Sequence, residues 1–458
     1  MVLTVTRAWL VLLILALYGV LNKGFMLLRI PPGGEFGIPA AELLVLMFAA
    51  TFVFEIRRVP SFAAVAPVTP LLVLWLVGAA NIVLGVVDHG IWALRDASHM
   101  VDTAFLWIGF VVAASPGFSE RFSRWLRVFL NVCVAYSLLF PFRETLKDYS
   151  PKIHAPAGYD APLLFNYVST SVLPVTAAVA SIADRVSYFG LPTVVLVGAL
   201  IVYTAVIFQA RTTYLEAMAL VVILAYLRPA DAMRIMAGTL IGLSVLSILV
   251  ASGLEITGRL GEAASFAFFV EHFASIWGVK GSGNIAGAAE GVPLRLRWWT
   301  LIWQNVTASF STLLFGLGYG DPLTDFFDDT NAIVREPHNS YISMFARVGV
   351  VGLTAFILVH LSLIRTWYRV YKSCERDADK TWRNNMLIMG TFFLMIGILS
   401  LGEDGFEKPF NAALYYFFSG VILRAAFSLR AGNRASDLAG VACDRKPAQA
   451  PAGATPAA

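Results

Sequence analysis

Residues 335–364 read REPHNSYISMFARVGVVGLTAFILVHLSLI, a short polar segment that leads directly into an apolar run. An apolar run of about 20 residues is long enough to cross a bilayer as a helix. The polar segment closes the longest polar interval of the chain and contains His338, whose side chain titrates near neutral pH. The stretch therefore predicts a membrane helix preceded by a polar segment whose histidine is suited to acid–base chemistry.

The composition of the whole chain indicates the same class of protein. Of its 458 residues, 58% are hydrophobic and 14% are charged, and the mean hydropathy is +0.71. Soluble domains carry about 25% charged residues, so we expect an all-α, polytopic membrane protein. Its basic residues form no cluster of the kind that binds nucleic acid, so no nucleic-acid partner is expected.

Counting apolar runs of sufficient length predicts about twelve membrane spans. They begin near Ala8, Ile38, Pro70, Val101, Leu126, Leu163, Leu191, Thr213, Met233, Ile342, Met386 and Pro409. This count divides the chain into nine helices in residues 1–251, a loop domain at 252–341 and three helices in 342–429. Residues 430–458 are rich in Ala, Pro and Gly and are predicted to be a disordered tail.

Basic residues are concentrated in alternate connections between these spans, as in the loop from Arg365 to Arg383. The positive-inside rule then places both termini and that loop in the cytoplasm. The loop domain at 252–341 falls on the outer face, which is the periplasm of a Gram-negative cell. Within it we predict helices at 260–277 and 294–306, a flexible loop at 280–291 and a turn at 314–320.

Three arginines on the outer face are candidates for binding an anion. Arg211 stands between two apolar runs, where an arginine either snorkels to the interface or serves a function. Arg295 and Arg297 lie in a tryptophan-rich segment, where they either form a solvated helix face or bind substrate. Guanidinium groups bind phosphate oxygens bidentately, so a phosphate is the ligand expected here.

His338 is the candidate for acid–base chemistry, with Glu336, Asn339 and Tyr341 as neighbours that could orient it. A histidine of this kind is also often structural. The three cysteines and the acidic residues near Asp325 lack the spacing of metal ligands. No metal and no cofactor are therefore expected.

These motifs, in this order, resemble the O-antigen ligase and polymerase superfamily. His338-Asn339 is followed after nine residues by Gly349 and then by Gly352, which is similar to the family's His-Asn, spacer, Gly-x-x-Gly signature. Arg211-Thr-Thr-Tyr-Leu215 resembles its Arg-x-x-x-Leu motif. The segments 294–299 (LRLRWW) and 314–320 (LFGLGYG) resemble the Arg, Trp and Phe-Gly-x-Gly stretch before the histidine.

The resemblance implies a metal-independent, inverting glycosyltransferase of GT-C-like architecture in the Gram-negative inner membrane, with its active site facing the periplasm. Its donor would be an O-antigen linked to undecaprenyl diphosphate, and its acceptor a sugar of lipid A-core. By position, the catalytic residues would be His338, Arg211 and Arg297. Spacing to Phe315-Gly316 favours Arg297 over Arg295 as the motif arginine, and the choice between the two stays open. Substrate would be bound by Arg295, Asn339, Trp299, Tyr214 and Leu215.

Other functions stay open at this point. An O-antigen polymerase uses the same donor but a second lipid-linked glycan as acceptor, and a protein O-oligosaccharyltransferase belongs to the same superfamily. A secondary transporter is the alternative from a different class. Transporters place charges near the bilayer midplane and often contain inverted repeats. The unusual charges of this chain lie at the outer interface instead, which favours an enzyme.

Overall fold

The computed structural model is almost entirely α-helical. It describes residues 2–30, 38–154, 160–165, 172–183, 191–253, 265–275, 283–326, 333–376 and 379–430, with a few single residues between 258 and 279. Sheet is confined to two antiparallel pairs among these residues: β1 (Arg29–Ile30) with β2 (Ile38–Pro39), and β3 (Lys152–His154) with β4 (Asp160–Pro162). The all-α fold class is confirmed. The predicted tail at 430–458 lies outside the described residues apart from Arg430.

The helices follow the apolar runs of the sequence. In the first half they are α1 (Val2–Leu21), α2 (Lys23–Leu27), α3 (Glu42–Ala50), α4 (Phe52–Glu55), α5 (Val59–Ala63), α6 (Val68–His89), α7 (Ile91–Asp96), α8 (Ser98–Asp102), α9 (Ala104–Ala113), α10 (Phe118–Leu138) and α11 (Arg143–Asp148). In the second half they are α12 (Val172–Ile182), α13 (Thr193–Phe208), α14 (Arg211–Leu227), α15 (Pro229–Ala251), α16 (Phe266–Ala274), α17 (Gly283–Thr307), α18 (Phe310–Phe315), α19 (Ser340–Arg376), α20 (Lys380–Leu399) and α21 (Pro409–Arg430). Among the described residues, two 3-10 turns are also present, at Ile56–Arg58 and Phe140–Phe142.

Five of these helices are long and apolar enough to cross a membrane. They are α6, α15, α19, α20 and α21. A sixth span is possible by length and composition if α10 and the segment that follows it, bent by 44°, count as one. Other apolar helices, such as α13 and α12, are shorter. The chain is thus an all-α membrane protein, and the count of twelve spans stays a prediction.

The loop domain differs from its prediction in two places. Among the described residues of the predicted helix at 260–277, the helical segment runs from Phe266 to Ala274, and Ser265 caps its first turn. The predicted loop at 280–291 is wrong over residues 283–291, since α17 runs from Gly283 through Pro293 to Thr307. Three alanines, the strongest helix former, stand among the three glycines of residues 283–291, and the glycines alone had suggested a loop. The predicted helix at 294–306 is the second half of α17.

The core of the membrane part is built around α21, nearly all of whose side chains are buried. Its main partner is α9, and the two backbones approach closely at Gly109 and Gly420. A Cβ atom on either glycine would collide with the backbone of the other helix, at Phe417 or at Leu106. Small residues allow this packing in membranes, where helices associate through van der Waals contact.

Three helix ends meet at one end of the bundle. The Ser340 N–H at the start of α19 donates to the Ser400 carbonyl just after α20, at 3.0 Å. Gly402, in the same turn, faces Thr212 in the first turn of α14. At the opposite end of α14, Arg228 donates to Asn384 near the start of α20. α14 and α20 therefore run antiparallel, and Arg211, Gly402 and Ser340 lie at the same end.

Candidate active site

The segment before α19 holds His338 in a constrained backbone conformation. Its φ is +52°, in the left-handed region that residues other than glycine rarely adopt. The carbonyl of the preceding Pro337 accepts a hydrogen bond from Trp299 Nε1 at 3.0 Å. The Trp298 ring lies 6.0 Å from the imidazole, centroid to centroid. The tryptophans of α17 therefore fix the place and the orientation of His338.

Asn339 ties this segment to the turn after α20. Its Oδ1 accepts hydrogen bonds from the backbone N–H groups of Tyr341 and Ile342, both at 3.0 Å, which caps the start of α19. Its Nδ2 donates to the Leu401 carbonyl at 2.9 Å. Asn339 thus positions the histidine beside it, and its amide is engaged within the protein. Sequence reasoning had assigned it to substrate binding.

Two carboxylates face the imidazole, and neither was among the sequence-based candidates. His338 Nδ1 lies 3.2 Å from Asp404 Oδ2 and 3.5 Å from Glu403 Oε2. The contact is one of charge, since Nδ1 makes no hydrogen bond of good geometry among the described residues. The sequence signal that could have found them is a short loop with three acids, Glu403, Asp404 and Glu407.

This environment changes the protonation of all three groups. Burial lowers the pKa of His338, but Asp404 and Glu403 outweigh it and raise that pKa to about 9. Burial raises the pKa of Asp404, but Lys408 and His338 outweigh it and lower that pKa to about 2. Glu403 is shifted down in the same way, by His338 and Arg295. At neutral pH the cluster is an imidazolium flanked by two carboxylates.

Arg295 joins this cluster from α17. Its Nη1 donates to the Gly402 carbonyl at 2.7 Å, and its Nη2 lies 3.4 Å from Glu403 Oε1. Arg295, Trp298 and Trp299 are spaced by three and four residues, so they share the face of α17 that points to His338. Arg297 lies on another face, largely exposed, and pairs with Asp325. The geometry therefore brings Arg295 to the histidine, whereas spacing alone had favoured Arg297.

Arg211 reaches the same end of the bundle from α14. Its Nη1 donates to the Ser275 carbonyl at 3.1 Å, just after α16. A Cβ atom on Gly402 would lie 3.3 Å from Thr212 Cγ2 and 3.9 Å from Arg295 Nη1. The first turn of α14 and the Arg295 side chain thus meet at Gly402. Arg211 belongs to this assembly through its neighbour Thr212.

The other residues of the Arg-x-x-x-Leu motif line α14 beyond Arg211. The Tyr214 hydroxyl lies 3.0 Å from His272 Nδ1 of α16. Leu215 is half-buried. An apolar cavity of about 1040 Å³ begins at this point, between α13, α14, α15 and α16, and its walls include Tyr214, Phe269 and Phe273. A large apolar space therefore opens beside the arginine that starts α14.

A second set of buried charges holds the segment from the other side. Arg335 binds Asp96 of α7 with two hydrogen bonds, of 2.9 and 2.6 Å. Arg347 Nη2 of α19 lies 3.1 Å from both Asp96 and Glu336. Glu336 also accepts a hydrogen bond from Ser343 at 2.7 Å. Glu336 therefore faces this network and not His338, contrary to the prediction that it orients the histidine.

The glycine motif of α19 has a steric role. At Gly349 the helix is interrupted, with φ +63° and ψ −167°. A Cβ atom there would lie 2.5 Å from Gly316 N and Leu314 O, and one on Gly316 would meet the backbone at Arg347. The Leu317 N–H donates to the Ala346 carbonyl across this joint at 2.7 Å. The Phe-Gly-x-Gly turn and the Gly-x-x-Gly motif are thus two halves of one contact.

Comparison with known proteins adds no family assignment to this geometry. No protein-family model matches the chain, and no curated protein matches it either.

Proposed function

We propose that the protein is an O-antigen ligase, a GT-C-like glycosyltransferase of the Gram-negative inner membrane. It would move an O-antigen polysaccharide from undecaprenyl diphosphate to a sugar hydroxyl of lipid A-core at the periplasmic face. The observation that carries the proposal is the convergence of Arg295, His338 and the first turn of α14 beside a large apolar cavity. The motif resemblance supplies the identity of the substrates.

The charges suit a diphosphate leaving group. As the bond between the anomeric carbon and the phosphate oxygen breaks, negative charge develops on the diphosphate. Arginines held in place before the reaction stabilise that charge. Arg295 is oriented by Gly402 and Glu403, and Arg211 by Ser275. Two guanidinium groups supply this stabilisation from the protein itself, so we expect the reaction to be independent of metal.

The apolar cavity suits the lipid part of the donor. It is bounded by α13, α14 and α15 and is closed on one side by the aromatic residues of α16. Burial of apolar surface makes such a cavity favourable for a polyprenyl chain. A chain held there would place its diphosphate near Arg211, since Tyr214 in the cavity wall lies one helical turn further along α14.

His338 is proposed to act on the acceptor. Its Nδ1 faces Asp404 and Glu403, so Nε2 is the nitrogen that is left to meet a substrate hydroxyl. In the neutral ring Nε2 takes the hydroxyl proton as the oxygen attacks the anomeric carbon, and the carboxylates stabilise the imidazolium that forms. The diphosphate leaves with the bonding electrons. Direct displacement of this kind inverts the anomeric centre.

The test is complementation of two strains, one lacking its ligase and one lacking its O-antigen polymerase. We expect the gene to restore long-chain ladders on lipid A-core in the first strain only, as read on a lipopolysaccharide gel. Rescue of the polymerase strain alone would replace the proposal by a polymerase. His338→Asn is the negative control. Asparagine tolerates the left-handed backbone at this position, so the variant protein should fold. If the gene restores neither strain although the protein is well expressed, both the ligase and the polymerase activity are refuted.

A further inference from the structure

A second cavity, which is polar, lies at the opposite end of α14 and α20 from His338. Its volume is about 650 Å³. Among the described residues, its walls carry four cationic side chains and one anionic side chain: Arg228, Arg234, Lys380, Arg383 and Asp231. Because α14 has 17 residues, it separates this cavity from Arg211 by about 25 Å. That distance is close to the hydrocarbon thickness of a bilayer.

Three helices begin at this cavity. They are α13 at Thr193, α15 at Pro229 and α20 at Lys380, and the first residues of each line its wall. No side chain caps the start of α13 or of α15, so their first backbone N–H groups lack that partner. Each helix start also carries a partial positive charge. Side-chain charge and helix dipoles therefore both favour an anion here.

The arginines of the cavity keep hydrogen-bonding capacity for a ligand. Arg228 uses Nε for the Tyr371 hydroxyl and Nη1 for Asn384 Oδ1, each at 3.0 Å. Its Nη2 is buried without a hydrogen bond to any described residue, and so is Nε of Arg383. Buried donors without partners are costly. Oxygen atoms of an anion in the cavity would satisfy both.

Among the described residues, the one carboxylate of the cavity wall does not balance its three arginines. Asp231 lies 2.9 Å from Arg234 and 3.6 Å from Arg228, so one carboxylate is shared by two guanidinium groups. Asp379 caps α20, accepting from the Trp382 N–H at 3.0 Å. The remaining positive charge has the bidentate donors that suit phosphate oxygens.

We propose that this cavity binds a phosphate group at the membrane surface opposite the candidate active site. The chemistry fits the headgroup phosphate of an anionic phospholipid, which lies at the depth where these helices begin, and it also fits soluble phosphate. The proposal concerns neither His338 nor the transfer reaction, so it stands or falls independently of the proposed function.

The experiment measures lipid retention by purified full-length protein. The protein is placed in detergent with phosphatidylcholine and increasing phosphatidylglycerol, and bound lipid is counted by native mass spectrometry. The test variant is Arg234→Gln with Arg383→Gln. The matched control is Arg365→Gln with Arg369→Gln. It removes two exposed charges of α19 that lie toward the same end of the bundle as the cavity but outside the cavity wall. We expect at least tenfold weaker phosphatidylglycerol retention in the test variant and wild-type retention in the control.

A parallel arm replaces the lipid by inorganic phosphate and follows thermal unfolding. Stabilisation of the wild-type protein but not of the test variant would support the site with soluble phosphate as its source. The proposal would be overturned if wild type, test variant and control retained phosphatidylglycerol equally and were stabilised equally by phosphate. It would also be overturned if the test variant and the control lost phosphatidylglycerol retention to the same extent. If the double variant is unfolded in phosphatidylcholine alone, the single change Arg234→Gln replaces it, since that side chain is more than half exposed.

Discussion

At the scale of single residues, the main result is that His338 is a cation at rest. The family-like motif located the histidine, but the motif does not contain the acids that determine its charge. Asp404 and Glu403 reach it from the turn after α20, through tertiary contact. A local pattern cannot reveal such a pair, because nothing in the spacing of residues 335–341 depends on the loop that packs against them.

The protonation of His338 predicts how the transfer rate depends on pH. With a pKa of about 9, the imidazole is mostly protonated below pH 9, and only its small neutral fraction accepts a proton there. If Nε2 is the base, the rate should rise about tenfold per pH unit up to pH 9 and then level off. The measurement is the initial rate of glycan transfer by purified enzyme between pH 6 and pH 10.

A variant tests the cause of this pH dependence. Glu403→Gln removes one of the two carboxylates that raise the pKa of His338, so that pKa should fall. The rising part of the profile should then move to lower pH than in the wild-type enzyme. A rate that is flat from pH 6 to pH 9 in both proteins would show that the histidine orients the hydroxyl and does not accept its proton.

The two arginines of α17 can be separated in the same assay. Arg295→Lys should lower the transfer rate at least tenfold, because a lysine cannot keep both the Gly402 and the Glu403 contacts. Arg297→Lys should stay within about twofold of wild type, since that side chain is two-thirds exposed and its partner Asp325 also lies at the surface. The reverse order would restore the spacing-based choice of Arg297.

At the scale of elements, the site depends on the joint between the turn at Gly316 and the interruption of α19 at Gly349. Gly349→Ala should cost more than about 2 kcal/mol, because φ is positive and the added Cβ would meet the backbone at Gly316. The measurement is thermal unfolding in detergent, together with transfer activity.

The control for this substitution is Gly397→Ala in the neighbouring helix α20. A Cβ atom there has the Tyr341 hydroxyl as its nearest neighbour, at 3.8 Å, which is an ordinary contact. We expect it to be neutral or slightly stabilising, since alanine is the better helix former. Equal loss of stability in both variants would mean that the positive φ and the close backbone contact of Gly349 do not contribute to stability.

The elements themselves could largely be predicted, because apolar runs and helices coincide in a membrane. The second half of α17 was predicted from its tryptophans, and the turn at 314–320 from its glycines, three of which have positive φ. The first half of α17 was not, because glycines suggested a loop. Apolar runs locate the helices better than they give their lengths, and five or six spans meet the length criterion in the part of the chain that the structure describes.

At the scale of the whole molecule, the orientation in the membrane can be tested by labelling. The bundle places Arg211, His338 and the turn at Gly402 at one end, and Arg228 and Lys380 at the other. The positive-inside rule predicts that the second end is cytoplasmic. Ser309→Cys should therefore react with an impermeant maleimide added outside the inner membrane, and Arg369→Cys should not.

The labelling needs a background without reactive thiols. Cys133 and Cys374 are buried, so replacing Cys443 by serine should give it. After the inner membrane is opened, both introduced cysteines should react, because Ser309 and Arg369 are exposed. Reaction of Arg369→Cys before opening, with Ser309→Cys protected, would invert the topology and place the His338 site inside the cell.

The central place of α21 has a consequence for how the protein is made. This helix fills the core against α9 but comes much later in the chain, so it is synthesised well after its main partner. Until it is inserted, the face of α9 around Gly109 has only lipid or an insertion chaperone to cover it. Until then the newly made chain is open to membrane proteases. Nonsense or frameshift changes before α21 should therefore eliminate the whole protein, and not only the segment that follows them.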